Sequence, residues 1–245
     1  MAIVRKFTIG VQPFAKSFRM HGLGGVATDA VLRLRGKTLP DDYFSDVGLN
    51  AERTAYRLGS EDQANSLQLT EDSVTFTKDY YEAKTSFDFK KVLEEFRILW
   101  SSVDGALKLV DIRRIGMVAE YRYAVDNKNP SMWLRSKLTT IPTKSATDKF
   151  TMRFEEREFA KDGGIPDPKK ADLLNCIYTI YDSFLDANHP VAGFVDVDVD
   201  AQRYFTPLLN GNVPDEVLKL HKHFESSQHR IDEHLMSLGA THGKR

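Results

Sequence analysis

The sequence predicts an α+β fold: antiparallel sheets with helices on one face, arranged as two hairpin-helix-strand (ferredoxin-like) half-units plus a C-terminal helix. Three observations predict it. Leu67 and Leu69, then Val74 and Phe76, alternate with polar residues on either side of Thr70-Glu71-Asp72, the pattern of a β-hairpin with one wet face. Phe89, Val92, Leu93, Phe96, Leu99, Trp100 and Val103 recur at three- and four-residue spacing, which makes one apolar stripe of a helix over roughly 86–103. The order hairpin, helix, strand then recurs, at roughly 65–124 and 132–200. The chain divides accordingly into an N-terminal segment at 1–62, packed on the core, a first ββαβ half-unit at 63–126, and a second at 130–245 that carries the last helix, all within one compact domain.

The individual elements follow from local signals. Ile3 to Phe14 reads as extended, and His21-Gly22-Leu23-Gly24-Gly25 reads as a turn. Thr28 to Arg35 fits a short helix and a strand equally well, and 39–50 reads as a polar connection. Asp104-Gly105 is the expected stop of the 86–103 helix. In the strand over 107–124, Val110 and Ile112 share one parity while Ile115, Met117, Ala119, Tyr121 and Tyr123 take the other. A parity change inside one strand needs an extra residue, so a bulge is expected near 113–116. Beyond the turn Asp126–Pro130, stretches 132–141 and 149–159 read as a second strand pair. Asp167-Pro168 supplies a helix cap and a first-turn proline for a helix with Leu173, Ile177, Ile180 and Phe184 as its buried stripe. Phe194 to Asp200 alternates strictly and reads as a half-buried edge or outer strand. Pro214, with Asp215 and Glu216 in a first turn, opens a final helix. It buries Val217, Leu220, Phe224, Ile231, Leu235 and Leu238 and stops at Gly239.

Composition narrows the function classes. At 245 residues, with 41% hydrophobic and 28% charged residues, the chain can build a core unaided. Lys and Arg number 34 and Asp and Glu 35, for a net charge of -1. The simplest argument for a nucleic-acid partner, strong positive charge, is therefore absent. The single cysteine, Cys176, excludes an internal disulfide. With no signal-like run in Met1–Lys16 and no stretch of about 18 apolar residues, a cytoplasmic chain with no membrane association is expected.

Asp196, Asp198 and Asp200 put three carboxylates on one strand face, with Val195, Val197 and Val199 on the other. Clustered oxygen ligands suit Mg²⁺ or Mn²⁺ and hence phosphodiester chemistry. Alternate strand residues stand about 7 Å apart, however, and no general base or phosphate clamp lies nearby in sequence. No cofactor is expected outside this alternative reading. Arg113, Arg114, Trp133, Arg135, Lys137 and Arg153, with Lys144, Lys149 and Arg157, could line a basic sheet face for single-stranded nucleic acid. Glu155, Glu156 and Glu158 dilute it. Six of the seven histidines follow residue 188, yet His221/His223 and His229/His234 lack the helical spacing of a zinc site. His221 borders the apolar stripe of the last helix and is expected to pack there. His21–Gly25 matches neither phosphate-loop pattern, and Cys176 reads as a packing residue in a helix.

The Tyr80-Tyr81 pair, Ile112-Arg113-Arg114-Ile115-Gly116, Val195–Val199 and Leu218-Lys219-Leu220-His221 with Phe224 together resemble a sporadically distributed bacterial family with no assigned activity. That family has a mid-chain Arg-Ile/Leu-Gly strand, an Asp-x-Asp strand and a terminal helix containing Leu-His. The resemblance spans roughly 65–240, and the family's patchy distribution points toward mobile or anti-phage defence genes. No complete catalytic constellation stands in the sequence. The expected function is thus a non-catalytic binding or assembly subunit with a protein partner. A metal-dependent phosphodiester enzyme and a single-stranded nucleic-acid binder are the alternatives.

Overall fold

The structure, a computed structural model, describes residues 3–15, 19–49, 55–62, 64–80, 86–142, 145–157, 173–186 and 189–242, with backbone alone at 184–186 and 189–192. The elements run β1 (Ile3–Pro13), α1 (Arg19–Leu32), β2 (Asp46–Leu49), β3 (Ala55–Gly59), β4 (Asn65–Thr70), β5 (Val74–Asp79), α2 (Phe89–Leu107), β6 (Ile112–Ala124), α3 (Pro130–Leu138), β7 (Thr151–Arg157), β8 (Leu173–Asp186), β9 (His189–Leu209), α4 (Val213–Ser237) and β10 (Thr241–His242). All strands join one ten-stranded antiparallel sheet in the order β2-β3-β4-β5-β1-β6-β9-β8-β7, with β10 pairing beside β6. No helix among the described residues is long and apolar enough to cross a membrane.

This order contains an internal repeat whose unit is strand, helix, antiparallel meander, helix: β1-α1-(β2–β5)-α2, then β6-α3-(β7–β9)-α4. The two lead strands pair antiparallel at the middle of the sheet. Gly10 lies opposite Gly116, Ile9 opposite Met117 and Val11 opposite Ile115. A residue k places after Gly10 faces one k places before Gly116, so a local twofold axis passes through the glycine pair. Ile9-Gly10 and Ile115-Gly116 are equivalent under it, a residue-level match between the halves that sequence comparison alone misses. The first expected hairpin-helix-strand is present as β4-β5-α2-β6. The second does not form, because 130–138 is a helix and 173–186 a strand.

Helices cover one sheet face. Phe7, Ile9 and Val11 of β1, Ile115, Met117, Ala119, Tyr121 and Tyr123 of β6, and Val195, Val197, Val199 and Ala201 of β9 are buried there. α2 adds the stripe its spacing predicts, from Val92 to Val103, and α4 adds Val217, Leu220, Phe224, Ile231 and Leu235, with Leu238 partly buried against the core. The N-terminal segment therefore supplies a central strand to the core, and does more than pack on it. The β4–β5 hairpin pairs Leu67 with Phe76 and Leu69 with Val74, as the alternation predicts. The expected bulge is also present. The β6–β9 register shifts between Ile112 and Arg114, and burial skips from Ile112 to Ile115.

Several elements differ from the sequence reading. His21–Gly25 is helical, not a turn, and the ambiguous stretch after Thr28 completes α1 through Leu32. Tertiary packing explains one of the glycines: a Cβ at Gly24 would stand 2.2 Å from Tyr56 Cε2, so glycine there allows helix and strand to approach. α2 outlasts Asp104-Gly105 and closes at Lys108, whose φ is 49°. The stretch expected as a strand from Met132 is α3, because Asn129 caps it by accepting from Met132 N at 2.9 Å, with Pro130 at its start. The stretch from Leu173 is a strand. Cys176, Tyr178, Ile180 and Asp182 are buried in alternation while Ile177 and Thr179 lie on the other face. Its β-branched and aromatic residues outweigh an accidental helical spacing. The predicted cap Asp167-Pro168 lies outside the described residues.

Candidate functional site

The sheet's other face carries no helix among the described residues, and polar side chains line it. From β3 across to β7 the facing ladder positions include Arg57, Gln68, Thr75 and Thr77, then Thr8, Gly10 and Lys6, then Arg114, Glu120 and Arg122. Asp196, Asp198, Asp200 and Gln202 of β9 follow, then Asn175 and Tyr181 of β8 and Arg153 of β7. Strand alternation puts them all on one side because their partners of opposite parity fill the core.

The three aspartates thus share one face, as their spacing predicts, but β9 lies between β6 and β8 and is neither an edge nor an outer strand. Their surroundings differ. Asp196 is 3% exposed and takes two hydrogen bonds from Arg122, Nε to Oδ1 at 2.7 Å and Nη2 to Oδ2 at 2.8 Å. Arg122 Nη2 also donates to Ser183 Oγ. Asp200 Oδ2 accepts from Gln202 Nε2 at 2.6 Å, and Gln202 Oε1 accepts from Tyr204 Oη at 2.9 Å and Asn175 Nδ2 at 3.3 Å. Asp198 Oδ1 accepts from Tyr181 Oη at 3.2 Å. Its ladder partner on β6 is Glu120, which in turn faces Lys6 on β1. Burial first, and then the charges of Asp196 and Asp200, push the Asp198 carboxyl up to about 6. Burial raises Asp200 as well. Among the described residues no group of three His, Cys, Asp or Glu side chains could hold a metal ion, and Arg122 already takes both oxygens of Asp196.

At the local twofold axis the face sinks into a depression of about 200 Å³ over Gly10 and Gly116. Thr8, Gln12, Thr75, Arg114, Asp200 and Gln202 ring it. A Cβ at Gly10 would meet nothing within 4 Å, and one at Gly116 nothing closer than 3.9 Å.

The basic residues expected to share a sheet face separate. Arg114 and Arg153 occupy the polar face. Arg113 sits at the β6 bulge with its guanidinium 5.5 Å from the centre of the Phe14 ring. Trp133, Arg135 and Lys137 belong to α3, on the opposite side of the sheet. Trp133 is buried in the core, and Arg135 donates to the carbonyls of Ile141 and Pro142 and to Thr147 Oγ1. Lys144 lies outside the described residues. Reading 132–141 as a strand placed these residues together, and the helix takes them apart.

His221 stacks on Phe89 at 3.3 Å between ring centres, and burial lowers its pKa, in line with its expected packing role. Cys176 is buried on β8, where burial raises its thiol pKa.

A second cluster was not visible as a site in the sequence. Glu95 of α2 is 9% exposed, and its Oε2 accepts from both Tyr43 Oη and Lys78 Nζ at 2.5 Å. Lys78 also lies over the Tyr43 ring at 5.5 Å. Glu95 falls three residues after Val92 and four before Leu99, so a carboxylate on the buried stripe is the signal that marks it.

Fold and face together define an α+β protein with one ten-stranded antiparallel sheet, helices on one side and a polar surface on the other. No protein-family model and no curated protein matches the sequence. Seven solved chains match, among them Methanococcus jannaschii TBP. It is 9% identical to this chain at a TM-score of 0.28, with 93% of this chain and 97% of that one covered.

Proposed function

We propose that this chain is a non-catalytic binding or assembly subunit that receives a basic segment of a partner protein on the polar face of its sheet. One observation carries the reading: Asp198 and Glu120 stand opposite each other across the β6–β9 ladder, in a row that ends in Lys6 beyond Glu120 and in Arg153 beyond Thr179. Like charges in direct cross-strand opposition repel, and burial keeps water from relieving them fully. A lysine or arginine from a partner set beside Asp198 lowers the repulsion that Asp196 and Asp200 exert on its carboxylate, and charge complementarity of this kind steers and orients docking. The nearby Asp196 is already paired with Arg122.

The probe is a fluorescein-labelled octalysine peptide, followed by anisotropy at low and moderate salt. Saturable, salt-sensitive binding that weakens at least fivefold in Asp198→Asn and in Glu120→Gln supports the reading. A single-stranded oligonucleotide that binds more tightly than the peptide, or peptide binding indifferent to both substitutions, overturns it.

A further inference from the structure

A cavity lies on the helix side of the sheet, away from the face just discussed. It measures about 660 Å³ and is bounded by α2, the ends of β3–β5 and the connection after α1. Small-molecule sites occupy about 300–1,000 Å³. Glu95, Tyr43 and Lys78 form its floor.

The composition of the walls is unbalanced. Asp42, Glu61, Asp62 and Glu94 line the cavity and are exposed, whereas Lys91 is the one exposed cation among the described lining residues. Lys78 is already bound to Glu95. Four open carboxylates therefore face one open ammonium group. Asp62 is held in place by Ser60 Oγ at 2.6 Å and Ala64 N at 3.0 Å, both donating to its Oδ1, and these bonds lower its pKa. Leu39 and Ile98 supply apolar wall.

The fold itself does not require the charges at the floor. A buried ion pair adds little net stability, and apolar residues of similar volume commonly replace one without loss. Position 95 lies on a stripe otherwise made of Val, Leu, Phe and Trp, so an apolar residue would continue the core. Burial above all keeps Tyr43 protonated, so it remains a donor to Glu95. The trio holds a carboxylate rigidly at the base of an open, acid-rimmed cavity.

We propose that this cavity binds a small organic polycation with an alkyl chain, of the aliphatic polyamine class. Its ammonium groups meet the carboxylates of Asp62 and Glu94, and its methylenes lie against Leu39 and Ile98.

Calorimetric titration of the full chain with spermidine at low salt tests this. One saturable site is expected. The double variant Asp62→Asn/Glu94→Gln changes only exposed side chains and keeps the Asp62 acceptor, so it should fold; its affinity should fall at least tenfold. Asp198→Asn should bind spermidine like the parent, which separates this site from the acidic row on the other face. Absence of saturable heat at millimolar spermidine overturns the proposal. So does undiminished binding by the double variant, or a loss in Asp198→Asn as large as in the double variant.

Discussion

The two halves of the sheet share a topology but differ in the chemistry of the face they leave open. Around the central depression the twofold axis relates Thr8 to Arg114, Gln12 to Val118, Ser73 to Asp200 and Thr75 to Gln202. No pair matches. Beside the depression the N-terminal half presents hydroxyls and amides, joined by contacts such as Thr8 Oγ1 to Thr77 Oγ1 at 3.0 Å, while its charged positions, Lys6, Arg57 and Asp79, lie farther out. The C-terminal half presents carboxylates, guanidinium groups and a buried amide pair, Asn175 and Gln202. Backbone pairing and the apolar side specify the fold of both halves. The polar side is not bound by that constraint, and its chemistry differs between the halves.

The largest effect that could break this contrast is at Arg122. Removing it by Arg122→Ala leaves Asp196 buried and unpaired, which costs about 3–5 kcal/mol; denaturant unfolding should show this loss, and a change below about 1 kcal/mol would erase the distinction between the halves. Asp198 comes next. Its folded pKa, about 6, lies above the ordinary value of 3.8. The stability from this group is therefore complete below about pH 4 and is lost as pH rises through about 6. Asp198→Asn cannot ionise and should exceed the parent by about 1 kcal/mol at pH 7.5, solvent screening of this partly exposed group included. Thermal melts should converge at pH 4. Gly10→Ala has open space above it and a strand conformation, so a gain of about 0.5–1 kcal/mol is expected; a loss would show that the glycine serves the fold. Thr8→Val, in the hydroxyl half, should move stability by about 0.5 kcal/mol or less, since a partly exposed neutral hydrogen bond contributes little.

What the sequence reveals tracks where one physical signal dominates. The β4–β5 hairpin, α2, α4, the β6 bulge and the valine–aspartate alternation of β9 each show one clear period, and each is present. α1 was obscured because Gly24 answers to Tyr56, a residue distant in sequence. α3 and β8 exchanged identities because short apolar runs fit either period, and only caps and β-branching separate them. Of the polar face, Asp196, Asp198 and Asp200 were legible as a set. Their partners were not: Arg122 and Tyr181 stand 74 and 17 residues from the aspartates they meet. The cavity floor needs Tyr43, Lys78 and Glu95 from three separate elements, and a single sequence carries no mark of their meeting.

The pairing of β1 with β6 also sets an order of events at the ribosome. β1 pairs with β5 as soon as residue 79 has emerged, but its other edge, Ile3 to Pro13, waits for Ile112–Arg122 to be synthesised. Until then a nascent chain holds an unsatisfied row of central-strand amides and carbonyls beside Phe7, Ile9 and Val11, the kind of edge that captures neighbouring strands. Chains whose emerged portion ends between residues 80 and 111 should therefore be the aggregation-prone ones, and emergence past residue 124 should end the hazard by closing the seam between the halves.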